Sequence, residues 1–73
     1  MESTQTILSQ NILRLRKQRG MTQVALAERL GITSQAISKW ESGRSAPDIA
    51  LLPLLASVLE CSIDTLFSSI MIP

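Results

Sequence analysis

Apolar residues recur at helical spacing along almost the whole chain, and nothing in it alternates as a strand would. Leu8, Ile12 and Leu15 fall at i, i+4 and i+7, which predicts a first helix over Thr4–Gln18. Arg16, Lys17 and Arg19 near its end complement the helix dipole, and Gly20 is a stop signal. Thr22 is a good N-cap for a second helix, Gln23–Leu30, with Leu26, Ala27 and Leu30 as its buried stripe. Gly31 ends that helix, and only Ile32 separates it from the next cap candidate, Thr33. A third helix over Ser34–Glu41 then turns Ile37 and Trp40 inward, and the run from Ser42 through Pro47 reads as a loop.

Beyond the loop, Asp48 can cap a fourth helix whose core stripe is Leu51, Leu52, Leu55, Ala56 and Leu59. Pro53 conflicts with a helix running straight through, because an interior proline removes a hydrogen bond and costs about 3 kcal/mol. The conflict disappears if residues 48–52 form a tight turn and the regular helix begins near Pro53. Ser62 caps a short last helix over 63–69 that buries Ile63, Leu66 and, at its end, Phe67. Met71, Ile72 and Pro73 are expected to fray or to be taken up by a partner.

Length and composition narrow the functional classes. With 73 residues, 45% of them hydrophobic, the chain is one domain and too apolar for a disordered tail. Histidine is absent and Cys61 is the single cysteine. There is therefore no disulfide framework, no zinc site, no Cys–His pair and no Ser–His–Asp triad. An enzyme is not expected, nor a metal or other cofactor. The polar N-terminus lacks the features of a signal peptide, and the longest apolar run, 49–55, is far short of a membrane span. A cytoplasmic protein with no membrane association is the expectation.

Net charge is only +1, but its distribution is uneven. All seven cations (Arg14, Arg16, Lys17, Arg19, Arg29, Lys39 and Arg44) lie between positions 14 and 44, where only Glu28 and Glu41 oppose them. Such segregation suggests a basic face for a polyanion.

The most informative stretch is the pair of short helices joined by Gly31-Ile32-Thr33. A short turn containing glycine brings two helices to a steep crossing. Ala27 stands where they approach closely, Gly31 can take the positive φ of the reversal, and Ile37 fills the space between them. Residues 21–47, MTQVALAERLGITSQAISKWESGRSAP, resemble the helix-turn-helix of the phage-repressor family, the Cro/C1 or XRE type. NILRLRKQRG resembles that family's first helix, and LLPLLASVLECSIDTLF its fourth and fifth. The resemblance implies an all-α, five-helix lambda-repressor-like DNA-binding domain spanning 1–73, with its core about 7–69 and motif helices 23–30 and 34–41.

It further implies a division of labour. Helix 34–41 would lie in the major groove of double-stranded DNA, where Ser34, Gln35, Ser38 and Lys39 form the outward, base-reading face. Gln35 can bond bidentately to adenine and Lys39 can reach guanine. Phosphate contacts would come from Gln23, Ser42, backbone N–H groups near Gly43, and Arg44. Thr33 is a cap first, with a phosphate or thymine-methyl contact second. Arg14, Lys17 and Arg19 are either flexible steering charges or simply solvated. Arg16 and Glu41 match a family ion pair that braces the structure.

The chain also departs from the family pattern. Glu60 stands where glycine often ends the fourth helix, at a cost of about 1 kcal/mol if φ stays positive. Cys61 occupies an aliphatic site and reads as a small buried hydrophobe, and Val24 and Leu13 are apolar where the family is often polar. The function implied is sequence-specific regulation of transcription, repression foremost, by a weak homodimer on a palindromic operator. That homodimer would pair through the fourth-helix end, the Glu60-Cys61 turn, and the last helix with Phe67, Ile70 and Met71. The alternative is a protein-interaction module, an antitoxin or a bridging coactivator, working through a protein partner.

Overall fold

The computed structural model describes residues 3–69. Five helices follow one another: α1 Thr4–Gln18, α2 Gln23–Leu30, α3 Ser34–Glu41, α4 Leu52–Val58 and α5 Ile63–Leu66. A 3₁₀ turn, Ile49–Leu51, precedes α4. Each of the first three helices starts on a hydroxyl that accepts from the backbone N–H three residues further on: Ser3 from Thr6, Thr22 from Ala25, and Thr33 from Ala36. Ser62 caps α5 in the same way, accepting from Thr65. Asp48 caps the 3₁₀ turn, and Pro53 falls in the first turn of α4, where its missing N–H costs nothing.

Four helices end alike. After α1, α2, α3 and α4 the chain passes through the left-handed region at Gly20 (φ 69°), Gly31 (φ 71°), Gly43 (φ 78°) and Glu60 (φ 57°). In each case the next residue's N–H reaches back across the last turn: Met21 to Arg16, Ile32 to Ala27, Arg44 to Lys39, and Cys61 to Ala56. This pairing satisfies carbonyls that a helix end would otherwise leave without partners. All three glycines of the chain occupy such sites, and the fourth site holds a glutamate whose Cβ makes the conformation unfavourable.

One core joins the helices. Leu8, Ile12 and Leu15 of α1, Leu26, Ala27 and Leu30 of α2, and Ile37 and Trp40 of α3 are buried with Leu55, Ala56, Val58, Leu59 and Leu66. Leu51 and Leu52, expected in the core stripe, are half-buried at its edge, while Val58 is buried. Cys61 is also half-buried against the core. Leu13 is half-buried and Val24 exposed.

The last helix corrects the sequence expectation. It covers Ile63–Leu66 rather than 63–69, and Ile63 and Phe67 are 40% and 37% exposed instead of buried. The reason lies in Asn11 of α1, a buried polar residue. Its Nδ2 donates to the carbonyls of Thr65 (3.3 Å), Leu66 (2.8 Å) and Ser68 (2.9 Å). These oxygens are satisfied by a side chain 54 or more residues away, so the helix can stop. Ile70, Met71, Ile72 and Pro73, assigned to fraying or to pairing, lie outside the described residues.

Candidate nucleic-acid interface

The candidate site is α3 with the turns at its two ends. Ile37 and Trp40 anchor the helix in the core, which fixes the opposite face outward. On that face Gln35, Ser38 and Lys39 are exposed and Ser34 is half-buried. The Ser34 hydroxyl donates to the amide oxygen of exposed Gln35 at 3.5 Å, a contact that does not use the Gln35 amide hydrogens. Among the described residues no charged group pairs with Lys39 in an ion pair.

Behind this face, Arg16 and Glu41 lock α1 to the end of α3. Arg16 Nε donates to Glu41 Oε2 at 2.6 Å and Nη2 donates to Oε1 at 3.0 Å, a two-pronged contact between planar groups. The third prong, Nη1, donates to the Met21 carbonyl at 2.8 Å, just before α2. The two side chains are only 10% and 6% exposed. Gln23 joins from the first turn of α2, its Nε2 donating to Glu41 Oε1 at 2.9 Å. One ion pair thus ties together the three helices that carry the candidate interface.

Gln23 therefore combines two settings. One amide hydrogen is spent on Glu41, and the second remains on a half-buried side chain at the N-terminus of α2. Thr33 uses its oxygen to accept from Ala36 at 3.3 Å and keeps its hydroxyl hydrogen. The turn after α3 differs from the expectation that its backbone would serve phosphates. The N–H groups of Ser42, Gly43, Arg44 and Ser45 all donate to carbonyls of α3, and the Ser42 hydroxyl donates to the Lys39 carbonyl. The outward donor in this turn is the exposed Arg44 side chain.

The sequence-based basic face also shrinks. Arg19 is not a flexible steering charge. Its Nε donates to the Leu59 carbonyl at 3.1 Å, Nη2 donates to the Glu60 carbonyl at 3.4 Å, and Nη1 lies 3.8 Å from the Glu60 carboxylate. Arg14 donates to Asn11 Oδ1 at 3.3 Å, and its Nε is buried without a partner. With Arg16 in the brace, the exposed cations are Lys17, Arg29, Lys39 and Arg44, together with the partly covered Arg19. Burial pushes the Cys61 thiol above its ordinary value and outweighs the opposing pull of Arg19 and Arg14.

A family profile described as Helix-turn-helix matches residues 12–66. The chain belongs to the helix-turn-helix family. Its type is that of the phage repressors. A structure of the P22 c2 repressor with a synthetic operator is similar, with a TM-score of 0.80 and 32% identity over 86% of this chain and 96% of that one. Two curated helix-turn-helix relatives are each 37% identical over 60 residues: the transcriptional regulator YqaE of Bacillus subtilis and the transcriptional activator BcrR of Enterococcus faecalis. Both matches take in 82% of this chain but only 52% and 29% of those relatives, so the chain spans about half or less of their length. The hydroxypropylphosphonic acid epoxidase from S. wedmorenis is similar too, with a TM-score of 0.80 and 31% identity. That likeness takes in 34% of the enzyme's chain. None of the helices among the described residues is long and apolar enough to cross a membrane.

Proposed function

We propose that this domain binds double-stranded DNA in a sequence-specific way and regulates transcription, with α3 in the major groove. The observation that carries the proposal is the arrangement of α3. Its apolar side is anchored by Ile37 and Trp40, its end is clamped through Glu41, and four polar side chains face away from the core. A helix held this rigidly can present Gln35 and Lys39 to base edges at low entropic cost. Ser34 and Ser38 add shorter, less selective contacts. Phosphate contacts on this reading come from the free amide hydrogen of Gln23, the Thr33 hydroxyl and the Arg44 guanidinium, with Ser42 and Gly43 shaping the turn that carries Arg44.

Repression is the sign favoured by likeness to the P22 c2 repressor, although BcrR is an activator by name. The domain works as a binding module and not as an enzyme, since a chain without histidine and with one half-buried thiol has no evident acid–base or nucleophilic set. A single recognition helix reads too few base pairs to single out an operator, so two copies on half-sites about 34 Å apart are required. Exposed Ile63 at the start of α5 and Phe67 just beyond its end offer an apolar surface for that pairing. Selection of binding sites from random duplex DNA tests the whole reading. A palindromic consensus with half-sites one helical turn apart is the expected result, and recovery of no consensus would overturn it.

A further inference from the structure

We propose that Gln5 is a positioning residue for DNA binding, acting through the Gly43–Arg44 peptide to aim the Arg44 side chain. The proposal rests on the duplex-DNA reading above and concerns one peptide unit. Its carbonyl, that of Gly43, accepts from Gln5 Nε2 at 2.7 Å. Its N–H, that of Arg44, donates to the Lys39 carbonyl at 2.9 Å. The peptide plane is held at both edges, once by α3 and once by the first turn of α1. That restrains the tilt of the plane and the place of the Arg44 Cα that lies in it, and so narrows the directions in which the Arg44 side chain leaves the backbone.

Several features favour a positioning role over a purely structural one. The Gln5 side chain is exposed and contributes nothing to the core, and the bond it makes is solvent-accessible. The turn itself closes without Gln5, through the Gly43 to Trp40 and Arg44 to Lys39 backbone bonds. What Gln5 adds is restraint on the carbonyl edge of a peptide whose first residue is a glycine at φ 78°, the residue type with the widest freedom to tilt. The loop lies against the first half of α1, since a Cβ on Gly43 would sit 3.9 Å from the Ser9 hydroxyl, so the tether spans a short gap.

The test is a double-mutant cycle with Gln5→Met, which keeps length and removes the donor, and Arg44→Ala. Affinity of the 73-residue chain for a mixed-sequence duplex is read by fluorescence anisotropy over a range of KCl concentrations. Arg44→Ala should weaken binding and lower the salt slope by about one unit. Gln5→Met should weaken binding about threefold, the scale of one modest hydrogen bond, with an unchanged melting temperature, and should have no effect once Arg44 is gone. An equal loss in both backgrounds, or no loss in the native background, overturns the positioning role while leaving the DNA reading intact. If Arg44→Ala itself leaves binding and slope unchanged, the phosphate role of Arg44 fails, and the positioning role fails with it.

Discussion

Removing one member of the Arg16–Glu41 pair should unfold this domain more readily than any surface change. The guanidinium makes three charge-assisted bonds, two to the Glu41 carboxylate and one to the Met21 carbonyl, and the two side chains are 10% and 6% exposed. An exposed pair of this kind would be worth under about 1 kcal/mol, whereas stripping a partner from a buried pair costs about 3–5 kcal/mol. A domain of this length has roughly 4–11 kcal/mol in total. Arg16→Met and Glu41→Met should therefore each lower the melting temperature by at least about 12 °C, taking about 4 °C per kcal/mol for a small domain. Arg16→Met leaves Glu41 with Gln23 alone, and Glu41→Met leaves a buried guanidinium holding only the Met21 carbonyl. The double substitution removes both charges and should melt above at least one of the single variants, because no unpaired charge remains. Calorimetric or circular-dichroism melts decide it. Single variants that melt with the native chain, or a double variant whose loss is the plain sum of the two, would refute the claim that the pair is a coupled buried brace.

Gln35→Ala should relax base preference at one position per half-site, costing about 1–3 kcal/mol on the selected operator and little on mismatched duplexes. Equal losses on both would remove it from the base-reading set. Glu60→Gly should raise the melting temperature by about 4–8 °C, since about 1 kcal/mol of left-handed strain is lost and only a loose 3.8 Å contact with Arg19 is given up. A lower melting temperature would mean that the Arg19 contact outweighs the strain. Asn11→Leu should destabilise by about 1–3 kcal/mol by leaving the carbonyls of Thr65, Leu66 and Ser68 short of donors. Hydrogen exchange should rise first in α5, and uniform exchange across all helices would argue against local capping.

The helix starts were legible because each carries its own chemistry. Thr22, Thr33 and Ser62 stand directly before apolar-periodic segments, and a hydroxyl at that position has one evident use. Pro53 likewise announced a turn before α4. The end of α5 was not legible, because it depends on Asn11, whose neighbours in sequence give no sign that it faces a helix terminus 55 residues later. The same limit applied to the interface. Ile37 and Trp40 set the outward face of α3 by spacing alone, so Gln35, Ser38 and Lys39 could be named. The turn that follows reads in sequence as offering Ser42 and Gly43 N–H groups to phosphates, and nothing in the sequence signals the backbone angles that return those groups to α3.

Charge shows why composition and interface are different quantities. Counting seven cations between positions 14 and 44 suggests a broad basic surface, yet the fold uses three of them internally. Arg16 neutralises Glu41, Arg19 holds the end of α4, and Arg14 supports the Asn11 side chain that caps α5. Those three arginines stabilise the contacts of α1 with α3, α4 and α5, and their guanidinium forks suit carbonyl and carboxylate geometry better than lysine would. The cations left outward include Lys39 on α3 and Arg44 just beyond it. The outward positive charge on α3 and the turn after it is therefore limited to Lys39 and Arg44. On the proposed reading, non-specific affinity for duplexes should be correspondingly modest, with discrimination resting on the few side chains of α3 and on how rigidly Glu41 and the Gly43 turn hold them.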